Sequence, residues 1–311
     1  MEHTRLGRSG LTVSVVGLGC NNLGRPGTLT FDQEGTDAVV HAALDAGVTF
    51  FDTADIYGST KSEELLGRAL GARRPRAVVA TKFGMKIDER RRGARPDYVR
   101  RAVEDSLARL GTDYIDLYQL HEPDPDVPIA DTLGALDDLV QSGKVRAIGC
   151  SNFTAAQLDD AAGASAPGAA RFASVQNEYS LLHREPERGV LAVCDRLHMA
   201  FLPYFPLASG LLTGKYETGR GAPPGSRLSL AWTARFTTDR NVAVAEALKA
   251  YAAAHGRTLL ELAMSWLAAR PQVASVIAGA TSPEQVRANA GAVAWTLTPE
   301  ELADIDRLAP V

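Results

Sequence analysis

Cysteine is scarce in this chain. Its 311 residues include three, Cys20, Cys150 and Cys194, far apart and in no C-x-x-C spacing, which excludes a disulfide framework and a thiolate metal site. Histidine is nearly as sparse, with six residues and no i, i+4 pair of the kind a helical zinc site needs, so no metal is expected. Positive charge is not in excess either. The formal net charge is −4, spread along the chain, which leaves no basic face for a nucleic-acid backbone. No apolar run approaches the ~20 residues of a membrane span, and Met1-Glu2-His3-Thr4 lacks the basic and apolar regions of a secretory signal. The expectation is a cytoplasmic protein without nucleic-acid or membrane partners; a homo-oligomer is left open.

What is present is material for a large core. Apolar residues make up 45% of the chain and charged residues 23%, close to the globular average. The length suits two average domains or one α/β barrel, since such barrels run to roughly 250 residues or more as one unit. Strand-like apolar runs recur at 13–19, 49–52, 78–82, 115–120, 147–150, 174–176, 200–204 and 275–278. Most are followed by helical periodicity, as in 97–110, where Val99, Ala102, Val103, Leu107 and Leu110 fall on one face. Eight such repeats predict an α/β fold, a single (β/α)8 TIM barrel spanning 1–311 as one domain. Residues 5–13 predict an N-terminal β-hairpin plugging the barrel bottom, and residues 299–308 an extra C-terminal helix. The stretch 215–239 is rich in Gly, Pro, Ser and Arg, and a loop of that length in a compact domain is usually functional.

Catalytic groups of such barrels sit where strands end. Asp52 ends Phe50-Phe51-Asp52, Tyr57 follows five residues later, Lys82 ends Val78-Val79-Ala80-Thr81-Lys82, and His121 follows Leu117-Tyr118-Gln119-Leu120. Each alone has a structural explanation, from a turn cap to a snorkelling amine. Together they come from three neighbouring strands and make a reaction centre. A phenol with a pKa near ~10 is a poor acid at neutral pH, but an adjacent ammonium brings its proton within reach. Asp52 would hold Lys82 charged, and His121 would fix a carbonyl oxygen near Tyr57.

At these residues the chain resembles the aldo-keto reductase family, including its potassium-channel beta-subunit branch. The stretches that carry the resemblance are Gly17-Leu18-Gly19, Asp45-Ala46-Gly47-Val48-Thr49-Phe50-Phe51-Asp52-Thr53-Ala54, Leu117-Tyr118-Gln119-Leu120-His121, Ile148-Gly149-Cys150-Ser151-Asn152-Phe153, Gln176-Asn177-Glu178-Tyr179 and Tyr204-Phe205-Pro206-Leu207-Ala208-Ser209-Gly210-Leu211-Leu212. The resemblance implies an oxidoreductase that passes a hydride from NADPH to an aldehyde or ketone, reversibly, with Asp52, Tyr57, Lys82 and His121 as a tetrad and Tyr57 as proton donor.

The cofactor site follows from the same motifs. Ser151, Asn152 and Gln176 end two strands and offer the donors and acceptors that a carboxamide needs. Tyr204 presents a flat ring for stacking on a nicotinamide. Ser282, Pro283 and Gln285 form a capping-box signature whose helix N-terminus can meet a phosphate. The resemblance further implies cofactor contacts at Gly19, Cys20, Asn21, Asp52, Phe205, Pro206, Leu207, Ser209 and Gly210. It places Gly279, Thr281, Gln285 and Asn289 around the adenosine half, with Lys215 and Arg227 supplying positive charge to the phosphates. Many family members carry Lys and Arg where this chain has Gly279 and Gln285, and an acidic residue often stands at the position of Ala288. NADPH is the expected cofactor, with NAD admissible.

Lys86, Arg90, Arg91, Arg92 and Arg95 crowd one rim loop and would favour anionic substrates if they face the site. Phe83, Trp232 and Phe236 are candidates for an apolar pocket. The partner expected is a small-molecule carbonyl. An NAD-dependent sugar or polyol dehydrogenase is the alternative within redox enzymes. A nicotinamide-binding regulatory subunit is another, but that branch commonly lacks the histidine found here as His121.

Overall fold

The computed structural model describes residues 1–216, 228 and 231–311, the side chains of 231 and 232 excepted. In chain order the elements are β1 (His3–Arg5), β2 (Thr12–Ser14), β3 (Val16–Gly19), α1 (Gln33–Asp45), β4 (Phe50–Asp52), α2 (Lys61–Leu70), β5 (Val78–Phe83), α3 (Pro96–Leu110), β6 (Ile115–Leu120), α4 (Ile129–Gln141), β7 (Val145–Ser151), α5 (Ala155–Ala164), β8 (Phe172–Glu178), α6 (Val190–Leu197), β9 (Ala200–Tyr204), α7 (Asp239–Ala254), α8 (Leu259–Ala268), β10 (Val276–Gly279), α9 (Pro283–Gly291) and α10 (Pro299–Leu308).

Eight parallel strands form the sheet in the order β10-β3-β4-β5-β6-β7-β8-β9. Each of β3 to β8 pairs with its successor, and β10 returns to pair β3 with Val276 opposite Val16. Between β9 and the chain entering β10 the contact is a parallel bridge from Phe201 to Val273. There the Phe201 N–H donates to Gln272 O at 2.7 Å and the Ala274 N–H to Phe201 O at 3.1 Å. The barrel is thus nearly closed, an α/β fold with helices outside, as the eight repeats require.

The predicted strand over 13–19 is two strands. Thr12–Ser14 pairs antiparallel with His3–Arg5 as the hairpin, and Val16–Gly19 enters the barrel. The break has a side-chain cause: Ser14 Oγ donates to Val16 O at 2.7 Å, and the Thr49 N–H donates to Ser14 Oγ at 2.9 Å, so the hydroxyl takes over where a ladder bond would stand. Leu6 and Val13 of the hairpin segment are fully buried and pack on Phe50, Ala80, Leu117, Ala147, Ala173, Ala200, Leu202, Ala274 and Ile277. This is the inner core, plugged from below.

Alternation along the strands puts Phe50, Ala80 and Leu117 inside, while Phe51, Val79 and Tyr118 face the helices. The inner residues one step nearer the C-terminal ends are Asp52, Lys82 and Gln119, followed on the next strands by Ser151 and Gln176. The helices start where expected from their caps. Thr154, Thr258 and Thr298 each form a capping box with the Gln or Glu three residues on. Beyond the expected C-terminal α10, two helices, α7 and α8, stand between β9 and β10.

Candidate active site

The barrel alternation turns the Lys82 side chain inward, and there it is fully buried. Its ammonium donates to Asp52 Oδ1 and Oδ2, both at 2.7 Å, and to Thr53 O at 2.9 Å. The Lys82 Nζ lies 5.2 Å from the centroid of the Tyr57 ring. Burial works against the ammonium, but Asp52 and Tyr57 outweigh it and hold the Lys82 pKa above its usual value. His121 packs edge-on against Tyr57, with ring centroids 5.7 Å apart at 79°. Burial, then the neighbouring Lys82 charge, brings its pKa down to about 3, so the imidazole is neutral and carries one N–H donor. All four residues expected to converge do so.

Gln176 donates from Nε2 to Asp52 Oδ1 at 2.8 Å. Ser151 Oγ donates to Gln176 O at 2.7 Å. Asn152, at φ +61°, donates from Nδ2 to His121 O at 2.9 Å and accepts the Tyr204 hydroxyl on Oδ1 at 2.8 Å. Of the residues expected to meet a carboxamide and its ring, Gln176 and Asn152 thus bond the tetrad directly, and Ser151 and Tyr204 through them. Burial and then Glu178 push the Tyr204 phenol up to about 12, so it stays a neutral donor.

After β9, Phe205, Ala208 and Ser209 all have positive φ, at 51°, 45° and 56°, and Gly210 reaches 110°. Such values in residues with side chains mark a turn held by its surroundings. The turn of Phe205, Pro206, Leu207, Ser209 and Gly210 leaves Ser209 Oγ buried, with no hydrogen-bond partner among the described residues. Lys215 is exposed and Arg227 lies outside the described residues. At the end of the neighbouring strand β10, a Cβ on Gly279 would stand 3.2 Å from Asn22 Nδ2 and 3.8 Å from Asn21 Oδ1, so the bare backbone there faces polar side chains. Gly19 is the ladder partner of Gly279.

The Thr281 N–H donates to Gln285 Oε1 at 2.9 Å and the Gln285 N–H to Ser282 Oγ at 3.4 Å. The expected capping box is thus half formed, because the Gln285 side chain reaches back to Thr281. Asn289 Nδ2 donates to Gly279 O at 3.4 Å. The Cys20 side chain is buried in the outer core with Sγ 3.6 Å from Leu18 O, its N–H donates to Asp52 O, and its carbonyl accepts from Leu23 N and Ser62 Oγ.

Phe83 does not line a pocket. It follows the inward Lys82 and so faces outward, fully buried and stacked on Tyr118 at 4.7 Å. Phe236 is buried against Phe205, with centroids 5.6 Å apart; the Trp232 side chain lies outside the described residues. Within the basic rim loop Lys86 pairs with Glu89, and Arg91 pairs with Asp88 at 2.7 Å. Two of its five cations are therefore engaged within the loop itself.

Sequence reasoning missed Gln119. It is fully buried in the floor of the site, its Nε2 3.5 Å from Asp52 Oδ1 and its Oε1 unpartnered among the described residues. Gly149 makes the room, since a Cβ there would meet Ser174 Oγ at 2.6 Å and Gln119 Cγ at 3.3 Å. The signal was a polar residue inside an apolar strand at the inward register of Lys82.

The C-terminal rim of the (β/α)8 barrel thus brings together a buried ammonium on a carboxylate, a phenol and a neutral imidazole. The model of the aldo/keto reductase family matches residues 15–310. Aldo-keto reductase YhdN of Bacillus subtilis (strain 168) is 34% identical, over 99% of this chain and 93% of its own. Probable aldo-keto reductase 1 of Glycine max is 34% identical, over all of this chain and 90% of its own. Among solved structures, the glycerol dehydrogenase AKR11B4 from Gluconobacter oxydans superposes with a TM-score of 0.85 at 32% identity, covering 98% of this chain and 94% of that one.

The chain belongs to the aldo/keto reductase family. It is an NAD(P)H-dependent oxidoreductase. No helix among the described residues is long and apolar enough to cross a membrane.

Proposed function

We propose that this protein, working as a single domain in the cytoplasm, reduces the carbonyl of a small aldehyde or ketone to an alcohol, reversibly, with NADPH as the preferred nucleotide and NADH as the lesser one. The observation that carries the reading is the Lys82 ammonium, 2.7 Å from both Asp52 oxygens and next to the Tyr57 ring, which His121 flanks. Bound nicotinamide supplies the hydride that adds to the carbonyl carbon. Tyr57 gives its phenolic proton to the carbonyl oxygen, and Lys82 stabilises the phenolate left behind. Asp52 keeps Lys82 charged and aimed. A neutral His121 directs its N–H at the same oxygen and holds it near Tyr57.

The chain has donors suited to the nucleotide. Ser151, Asn152 and Gln176 would take the carboxamide, Tyr204 one face of the ring, and Gly19 and Asn21 the approach beside it. The unpartnered Ser209 Oγ and the turn from Phe205 to Gly210 suit a pyrophosphate. Gly279, Thr281, Gln285 and Asn289 would meet the adenosine half, with Lys215 and Arg227 available to a 2′-phosphate. Titration with NADPH and NADH by tryptophan fluorescence, followed by nicotinamide absorbance with 4-nitrobenzaldehyde, tests the proposal. Binding with aldehyde-dependent oxidation supports it, and failure to bind either nucleotide overturns it.

Polyol oxidation is a second reading, favoured by the likeness to a glycerol dehydrogenase. Initial rates with glycerol and NAD(P)⁺ against those with the test aldehyde separate the two.

A further inference from the structure

Behind the tetrad, between β4–β6 and the helices α2 and α3, lies a second group of titratable side chains that hydride transfer does not use. Asp55 stands two residues before Tyr57 and is 1% exposed. Its N–H donates to the Lys82 carbonyl at 3.0 Å. One carboxyl oxygen, Oδ2, has a long 3.5 Å contact from Tyr98 Oη of α3, and the neighbouring Ile56 N–H also bonds the carboxyl. The other, Oδ1, has no partner among the described residues.

The groups around it come from every packed element. Glu63 of α2 is fully buried and accepts from Thr81 Oγ1 of β5 at 2.6 Å and from Arg109 Nε of α3 at 2.7 Å. Tyr98 and Arg109 face it from α3. Tyr118 of β6 is buried, its hydroxyl unpartnered among the described residues. The cluster therefore holds two carboxyls and one cation, and Glu63 has the cation. An ionised Asp55 would be a buried anion with no cation of its own, faced only by the Ile56 N–H and the distant Tyr98 hydroxyl, a state relieved by taking up a proton.

We infer that Asp55 is a positioning residue of this active site, held as a neutral acid behind the tetrad, and that losing its proton unseats the turn that carries Tyr57. The turn is short and tightly pinned to the strand that bears Lys82. Thr53 N–H donates to Ala80 O at 2.8 Å, Asp55 N–H to Lys82 O, and Tyr57 N–H to Ala54 O at 3.2 Å. The Asp55 side chain is buried on that backbone, so repulsion acting on it bears on the turn. Burial, then the Glu63 charge, pushes the Asp55 carboxyl up to about 7, so the neutral form prevails below that pH and the charged form above it. The inference rests on the reading of Tyr57 as the proton donor.

Asp55→Asn keeps the shape of the neutral acid and cannot ionise. The infrared difference spectrum of wild type minus Asp55→Asn, taken at slightly acid pH, is expected to show the carbonyl band of a neutral carboxylic acid. Carboxylate bands alone overturn the inference whatever the turnover. The wild-type kcat with a test aldehyde is expected to fall about fivefold or more over the two pH units above the transition. Asp55→Asn should lack that fall while keeping the same nucleotide affinity; superimposable profiles overturn the positioning role. Should the variant not fold, Tyr98→Phe removes the donor that favours the charged form, and the alkaline limb should move to higher pH; an unmoved limb counts against the inference. Wild-type turnover in Tyr57→Phe would instead remove the reading beneath it, and the infrared band separates the two failures.

Discussion

Gln176 donates its side-chain amide to Asp52 Oδ1 at 2.8 Å across 124 positions of sequence. Gln176 belongs to the wall suited to a carboxamide, and Asp52 anchors the ammonium of Lys82. On the function proposed above, one carboxylate oxygen would join nucleotide recognition to proton transfer; Gln119 approaches that oxygen from the floor at 3.5 Å.

The two amides should separate by kinetics. Gln176→Leu is expected to weaken nucleotide binding about fivefold, the equivalent of one neutral hydrogen bond, and to lower turnover as well. Gln119→Leu is expected to lower turnover at unchanged nucleotide affinity. Fluorescence titration beside steady-state rates checks both, and an equal loss of affinity in the two variants would contradict the division.

Tyr57→Phe should bind nucleotide normally and lose turnover by a factor on the order of 10² or more, the usual scale of general acid catalysis. Lys82→Met should lose activity similarly and shift the pH–rate profile, because the phenol loses the charge that helps it release its proton. An unchanged profile would separate Lys82 from Tyr57.

Acid stability should bear the mark of His121. Its pKa in the folded chain is about 3, against roughly 6.5 in an unfolded one. Between these values the unfolded state binds the proton and the folded state does not. The contribution of this group is full above about pH 6.5 and is lost as pH falls toward 3, by up to about 1.4 kcal/mol per unit. Urea unfolding at stepped pH should show a flatter acid limb in His121→Gln, and parallel curves would place the acid sensitivity elsewhere.

Arg109→Met should be among the most destabilising substitutions of a partly exposed residue in this chain. It strips the fully buried Glu63 of its 2.7 Å cation, and breaking one side of a buried pair costs roughly 3–5 kcal/mol. Glu63→Gln made in the same chain should recover part of that loss in thermal unfolding. No recovery would mean that Arg109 acts through packing alone.

The tetrad was legible in the sequence because each of Asp52, Lys82 and His121 interrupts an apolar run where a strand stops, and Tyr57 follows on a short turn. The helix over 97–110 was legible from its spacing and differs at its start by one residue, Pro96. Other features needed the third dimension. The run 13–19 is apolar but for Ser14, and only the bonds of that hydroxyl to Val16 O and Thr49 N reveal where the hairpin ends. Phe83 is a pocket candidate by composition alone, although the period of two, counted from Lys82, already turns it outward. The company of Asp55 could not be read at all, because the shortage of cations around it arises only when α2, α3 and β6 pack together.

The barrel has a seam. Every other neighbouring pair of barrel strands shares a ladder, but β9 meets the chain entering β10 through two hydrogen bonds at Phe201. Tyr204 ends one lip of that seam and Gly279 ends the other. A reactant lying along both lips, as proposed for the nucleotide, would also be a clasp: its binding would fasten the cylinder where the backbone holds it least, and its departure would leave the eight strands as a sheet closed at one narrow point.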